Sequence, residues 1–305
     1  MTSRLCWQVG LVALLAAGVV RPLDLRATSS VVWAPIAVAA LTGNRGVAVL
    51  SRTGEIFSVG PASNWQPKLE FRLNRAYSPA DLAVTTSGTT DRLLVTSTGY
   101  TGSSRSGRLE MFTLGAASPQ QWPNAQGMVL SGVAPDGNIA YVGDALRGEL
   151  LTIDLSRADA KPEYVASLPS LKAKAIVGSV TVDRVNRQVF IADAAGSGNI
   201  YRLDQTSKKV SLFAQGLNDP RALAVDAKGQ RLLVADGLRR CVWAFPLRSV
   251  AIAKAGAPWL VHKEFREPNG IAAADDGTIW VGDAAAGRLF NFNATTQQLT
   301  RTIMR

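Results

Sequence analysis

From residue 31 to the C-terminus, short apolar runs alternate with clusters of Gly, Asp, Asn and Ser. This stretch lacks the three- and four-residue apolar spacing of an amphipathic helix. Brief β-rich runs bounded by turn residues predict antiparallel strands instead. The runs also repeat. Ala140-Tyr141-Val142-Gly143-Asp144, Val189-Phe190-Ile191-Ala192-Asp193, Leu232-Leu233-Val234-Ala235-Asp236 and Thr278-Ile279-Trp280-Val281-Gly282-Asp283 read alike. Two weaker relatives precede them, Val47-Ala48-Val49-Leu50-Ser51 and Leu93-Leu94-Val95-Thr96-Ser97. The closing polar residues, 51, 97, 144, 193, 236 and 283, lie 46, 47, 49, 43 and 47 residues apart.

A unit of that length with four strand runs is a propeller blade, whose two faces are covered by its neighbours. The spacing predicts an all-β six-bladed β-propeller with four antiparallel strands per blade. Its blade boundaries fall near residues 31–75, 76–126, 127–171, 172–218, 219–267 and 268–305. Each unit opens with an innermost strand that runs into a turn, as Gly132-Val133-Ala134 runs into Pro135-Asp136-Gly137. Asp-Gly pairs suit such hairpins because glycine accepts positive φ. The repeated apolar run forms the second strand. Third strands are predicted over residues 54–59, 108–114, 149–155, 199–203, 241–245 and 288–292. The sequence leaves ring closure open, with residues 30–35 one candidate for completing the last blade.

Ahead of the repeats, Arg4 precedes an apolar run from Leu5 to Val20, and small residues follow. That order is the pattern of an export signal. Cleavage after Gly18 or after Ala27 fits it, and an uncleaved anchor stays open. The reading is a signal peptide over residues 1–27, one propeller domain over 28–305, and a periplasmic or extracellular location. No stable transmembrane segment is expected after cleavage.

Composition narrows the chemistry. The 305 residues are 47% hydrophobic and 18% charged, ample for a packed core. The net charge of +10 favours anionic partners. His262 is the sole histidine, which argues against a multi-histidine metal centre or a histidine-based triad. Cys6 falls in the expected leader, and Cys241 falls in a strand pattern as a small buried residue. There is no Gly-x-Ser-x-Gly elbow and no phosphate-binding loop.

Leu232 to Phe245, preceded by Asp219-Pro220-Arg221-Ala222-Leu223-Ala224-Val225-Asp226, resembles an NHL repeat. Pro268-Asn269-Gly270-Ile271 through Trp280-Val281-Gly282-Asp283 resembles the gluconolactonase/regucalcin-like propellers. The resemblance is clear in the last three units and fades toward the N-terminus. It implies the propeller fold and bears weakly on function, because this fold hosts binders and enzymes alike.

The lactonase-type relatives hold a divalent cation over the central channel, through carboxylate and asparagine oxygens at the inner-strand starts. The resemblance implies Asn269 as one ligand, with Asn218 and Asp219 at the corresponding entry one blade earlier, and Ca2+ as the ion. No glutamate opens the first blade, and Lys174 near the axis would repel a cation. Asp144, Asp193, Asp236 and Asp283 repeat in equivalent places, where a short carboxylate holds a turn by accepting backbone N–H bonds. Four copies point to structure, since a unique catalytic site does not repeat.

Equivalent turns of a propeller emerge on one face. Arg147, Arg239, Arg240 and Arg288 lie in turns between second and third strands, and Lys174 and Arg221 lie at blade entries. Together they suggest a basic, ligand-binding rim. Base stacking needs aromatic residues among the cations, and these are missing; together with an export signal this argues against nucleic acid as a partner. The expected function is an exported, monomeric propeller that binds an anionic small molecule or protein through this face. The alternative is a metal-dependent lactonase or esterase.

Overall fold

The computed structural model describes residues 33–101, 103–116, 118–169, 176–249 and 251–305. The expected leader and Lys174 lie outside them. Residues 33–305 form one compact unit. It holds six sheets, antiparallel except for one short parallel pairing at an outer edge, whose strands run in order from the innermost outward. The blades span residues 35–72, 77–126, 130–167, 177–215, 220–261 and 268–303, in agreement with the period read from the sequence. Apart from strands and turns, the described residues contain one short 3-10 turn, Pro61–Ser63.

The second strands are apolar on both faces because each blade is covered from both sides. In the fifth blade, Leu232 and Val234 pack with Phe190 and Phe213 of the fourth. Leu233 and Ala235, pointing the other way, pack with Phe265, Ile271 and Ile279 toward the sixth. The period-2 alternation of a strand thus feeds two cores, and a run such as Leu-Leu-Val-Ala is buried throughout.

Two outer edges depart from the plain four-strand pattern. The second blade ends in two short pieces, Gln120–Gln121 and Ala125–Gln126. Trp122 lies buried between them and donates its indole N–H to the carbonyls of Asp154 and Arg157 in the third blade, at 3.2 and 2.9 Å. The fifth blade sends Ala253–Lys254 to pair in parallel with Val210–Gln215 of the fourth, before Leu260–Val261 completes its own sheet.

The ring closes by side-chain packing. The first and last blades are each built from one contiguous stretch, with Pro35 already in the inner strand of blade 1. Trp33, Val38 and Phe57 share a core with Ala272, Trp280, Leu289 and Ile303 of the last blade. Trp65 stacks on Trp280 at 5.7 Å, and Arg301 of the outermost strand lies 4.0 Å over the Trp65 ring.

Candidate functional site

Every inner strand carries the same irregularity near its start. In five blades its first residue pairs with the polar residue that ends the second strand: Pro35 with Ser51, Leu130 with Asp144, Val177 with Asp193, Pro220 with Asp236 and Pro268 with Asp283. In blade 2, where both strands run two or more residues further, the corresponding pair is Pro79 with Ser97. A register shift follows at once in all six. Such a bulge inserts one residue and re-aims the side chains around it. Six bulges at one end of the channel make two stacked rings. The upper ring is Ile36, Ala80, Ser131, Gly178, Arg221 and Asn269. The ring beneath it is Ala37, Asp81, Gly132, Ser179, Ala222 and Gly270.

The four repeated aspartates hold this end together. Asp236 accepts bonds from the backbone N–H groups of Asn218 (2.9 Å), Asp219 (3.2 Å) and Arg239 (3.0 Å), and from the Trp243 indole (3.3 Å). Asp283 takes Arg266, Glu267 and Ala286 N–H groups in the same way. Asp144 takes Val129, Leu146 and Arg147; Asp193 takes Ile176, Ala195 and the Ser197 hydroxyl. Each carboxylate joins the turn after its own strand to the segment that enters the inner strand. In blade 1 the equivalent Ser51 hydroxyl donates to Glu55 and accepts from its N–H.

Arg221 is the one charged member of the upper ring. Its Nε donates to Asp219 at 2.6 Å, and its Nη2 lies 3.6 Å from Glu267. Glu267 also lies 3.8 Å from Arg52 of blade 1. Two cations and two carboxylates thus link blades 5, 6 and 1 around the mouth. Asn269, two residues beyond Glu267, is buried, and its Oδ1 has no hydrogen-bond partner. The Ser131 hydroxyl across the ring is likewise unpartnered.

These residues do not fit a divalent cation as they stand. Calcium takes six to eight oxygen ligands. The upper ring offers only the Asn269 and Ser131 oxygens, Asn218 is exposed, and Asp219 is engaged by a guanidinium. Among the described residues no group of three or more His, Cys, Asp or Glu side chains is arranged to hold a metal.

The cations expected on the rim fall into two sets. Arg147 pairs with Asp144 at 3.4 Å, Arg288 with Glu264, and Arg221 with Asp219. Arg239 and Arg240 are exposed and enter no ion pair among the described residues. The acidic partners Glu264 and Glu267 come from the loop before the last blade, so the rim is less one-sided than its arginines alone suggest. Arg108, in the third strand of blade 2, is largely buried against Tyr77 and Glu110.

Below the rings the channel encloses about 460 Å³, walled by small apolar residues such as Ala39, Ala83, Ala134 and Ala224. Among the described residues Asp81 is the only charged side chain in its body; Asp183 and Arg184 line its far end. Asp81 accepts bonds from the N–H groups of Leu82 (2.8 Å) and, across the blade junction, Val133 (3.1 Å). Burial pushes its carboxyl up to about 7, against the opposing pull of those two donors. Ser179, its counterpart in blade 4, accepts the Leu223 N–H of blade 5 at 3.1 Å. His262 stands apart, ringed by Phe265, Phe290 and Phe292 at 5.3 to 5.6 Å, where burial lowers its pKa.

Sequence reading passed over Asp81, Ser131 and Glu267. Aligning the units on their inner-strand starts would have found Asp81, because its counterparts are alanine, glycine or serine.

The family described as SMP-30/Gluconolactonase/LRE-like region matches residues 172–304, which cover the last three blades. No curated protein matches the chain. Among solved structures, a chain of a nidogen/laminin complex superposes with TM-score 0.68 at 13% identity, over 83% of this chain and 91% of that one. A structural-genomics protein of unknown function from Bacteroides thetaiotaomicron gives 0.63 at 14% identity, over 85% and 68%. A luciferin-regenerating enzyme gives 0.50 at 10% identity, over 89% and 76%. The protein is thus a six-bladed β-propeller whose last three blades are similar to the SMP-30/gluconolactonase/LRE-like family.

Proposed function

We propose that this propeller binds a small anionic organic molecule at the mouth of its channel, with Arg221 as the receiving cation and without a resident metal. The observation that carries the reading is the placing of Arg221 as the sole charge in the upper bulge ring, with its Nε fixed by Asp219. A guanidinium offers five N–H donors, and a fixed fork suits a carboxylate. Arg239 and Arg240 on the rim would draw an anion inward at low salt. Calorimetric titration with gluconate, citrate and succinate in EDTA tests this. Saturable binding of one of them, weakened at least tenfold in Arg221→Gln, is expected; no binding of any, or indifference to that change, would refute it.

The family match over residues 172–304 favours a second reading, a calcium-dependent lactonase or esterase that uses Asn269, Asn218 and Asp219. For that to operate, Arg221 must release Asp219. Lactone hydrolysis that needs calcium and is lost in Asn269→Ala would establish it. We propose in addition that the chain is exported, on its apolar leader; N-terminal sequencing of protein recovered outside the cytoplasm tests this, and a retained Met1 would count against cleavage.

A further inference from the structure

We propose that the channel below the mouth is a second binding site, and that it takes a small organic ammonium ion whose charge is received by Asp81. One side chain is mismatched with its surroundings. The second bulge ring is otherwise built of the smallest residues, and for a steric reason. A Cβ on Gly132 would lie 2.5 Å from the Gly178 carbonyl and the Val180 nitrogen, and one on Gly270 would lie 2.9 Å from the Val38 nitrogen. At this level Asp81, Gly132, Ser179 and Gly270 each face a backbone N–H of the next blade. Ser179 satisfies such a group with a neutral hydroxyl. A serine at position 81 would serve equally well, so the stapling of Val133 does not call for a charge.

Among the described residues that carboxylate has no cationic partner. The strands packed on its own are Pro35–Ala40, Val47–Ser51, Thr90–Thr101 and Leu130–Asp136. Their charged residues are Asp91, Arg92 and Asp136, all at the far end of the channel. An unpaired carboxylate in an alanine-walled cavity is electrostatically incomplete. A ligand with a compact cation and a short hydrocarbon body supplies both missing parts. The volume of about 460 Å³ lies within the range of small-molecule pockets. This site is independent of Arg221, which lies one ring above it.

The probe is n-butylammonium, with n-butanol as the uncharged isostere, titrated calorimetrically at pH 6 and pH 8. Only the ionised carboxylate receives the cation, so with a carboxyl titrating near 7 the apparent affinity at pH 6 should be about tenfold weaker than at pH 8. Asp81→Ser should fold, abolish butylammonium binding and leave carboxylate binding at the mouth unchanged. Ala83→Leu, which fills the channel and keeps the carboxylate, should also abolish it. The proposal fails if butylammonium does not bind. It fails too if butanol binds equally well, or if Asp81→Ser binds like wild type.

Discussion

Replacing Asp236 by alanine measures what the repeated aspartates contribute. The carboxylate is fully buried and collects four donors. Two of them, the Asp219 N–H and the Trp243 indole, belong to buried residues and would be left without partners. Each such loss costs about 1–2 kcal/mol. The Asn218 and Arg239 N–H groups belong to exposed residues and can turn to water, at about 0.5 kcal/mol each. The sum is a loss of about 3–5 kcal/mol. Urea titration followed by tryptophan fluorescence reads it as a lower midpoint at unchanged slope. Asp236→Asn, which keeps one acceptor oxygen, should fall between the two. Carboxylate binding by the folded fraction should survive, because the aspartate braces the entry segment and does not face the ligand. A loss under 1 kcal/mol in Asp236→Ala would refute the bracing account, and so would full stability with binding abolished.

Gly132→Ala should destabilise the junction of blades 3 and 4 by at least about 2 kcal/mol in the same assay, since the new Cβ meets backbone atoms that cannot rotate away; a neutral result would show the blades able to part cheaply. Cys241 is buried and its thiol is pushed up to about 12, so it should resist Ellman's reagent at pH 8 in the native protein and react only after denaturation, as mass mapping would show. Asp81 has a folded pKa near 7, above its ordinary 3.8, so the fold favours the protonated form. The stability it lends is present below about pH 4 and is lost as pH rises through 7. Wild type should therefore lose stability between pH 4 and pH 8 relative to Asp81→Ser, and parallel stability curves would exclude this.

The fold was legible because a blade is short and repeats, so six apolar runs ending in Ser or Asp at near-constant spacing fix the period without any knowledge of contacts. The turn role proposed for Asp144, Asp193, Asp236 and Asp283 was legible for the same reason. The mouth was harder to read. Which residue of Asn218-Asp219-Pro220-Arg221 enters the ring depends on a one-residue bulge, and a bulge leaves no mark in the apolar pattern. The pairing of Arg221 with Asp219 and Glu267, and of Arg288 with Glu264, depends on neighbouring blades meeting across the ring. The arginines could be counted along the chain, but their acidic partners are supplied by three-dimensional closure. Asp81 sits in an ordinary-looking strand and is unusual only beside its five counterparts.

The most direct test of the account is calorimetric titration of the best-binding carboxylate against wild type and Arg221→Gln in EDTA, repeated with calcium in excess. The account predicts saturable binding in EDTA, no gain from calcium, and at least a tenfold loss in Arg221→Gln. Binding that appears only with calcium, or that survives the loss of Arg221, would contradict it.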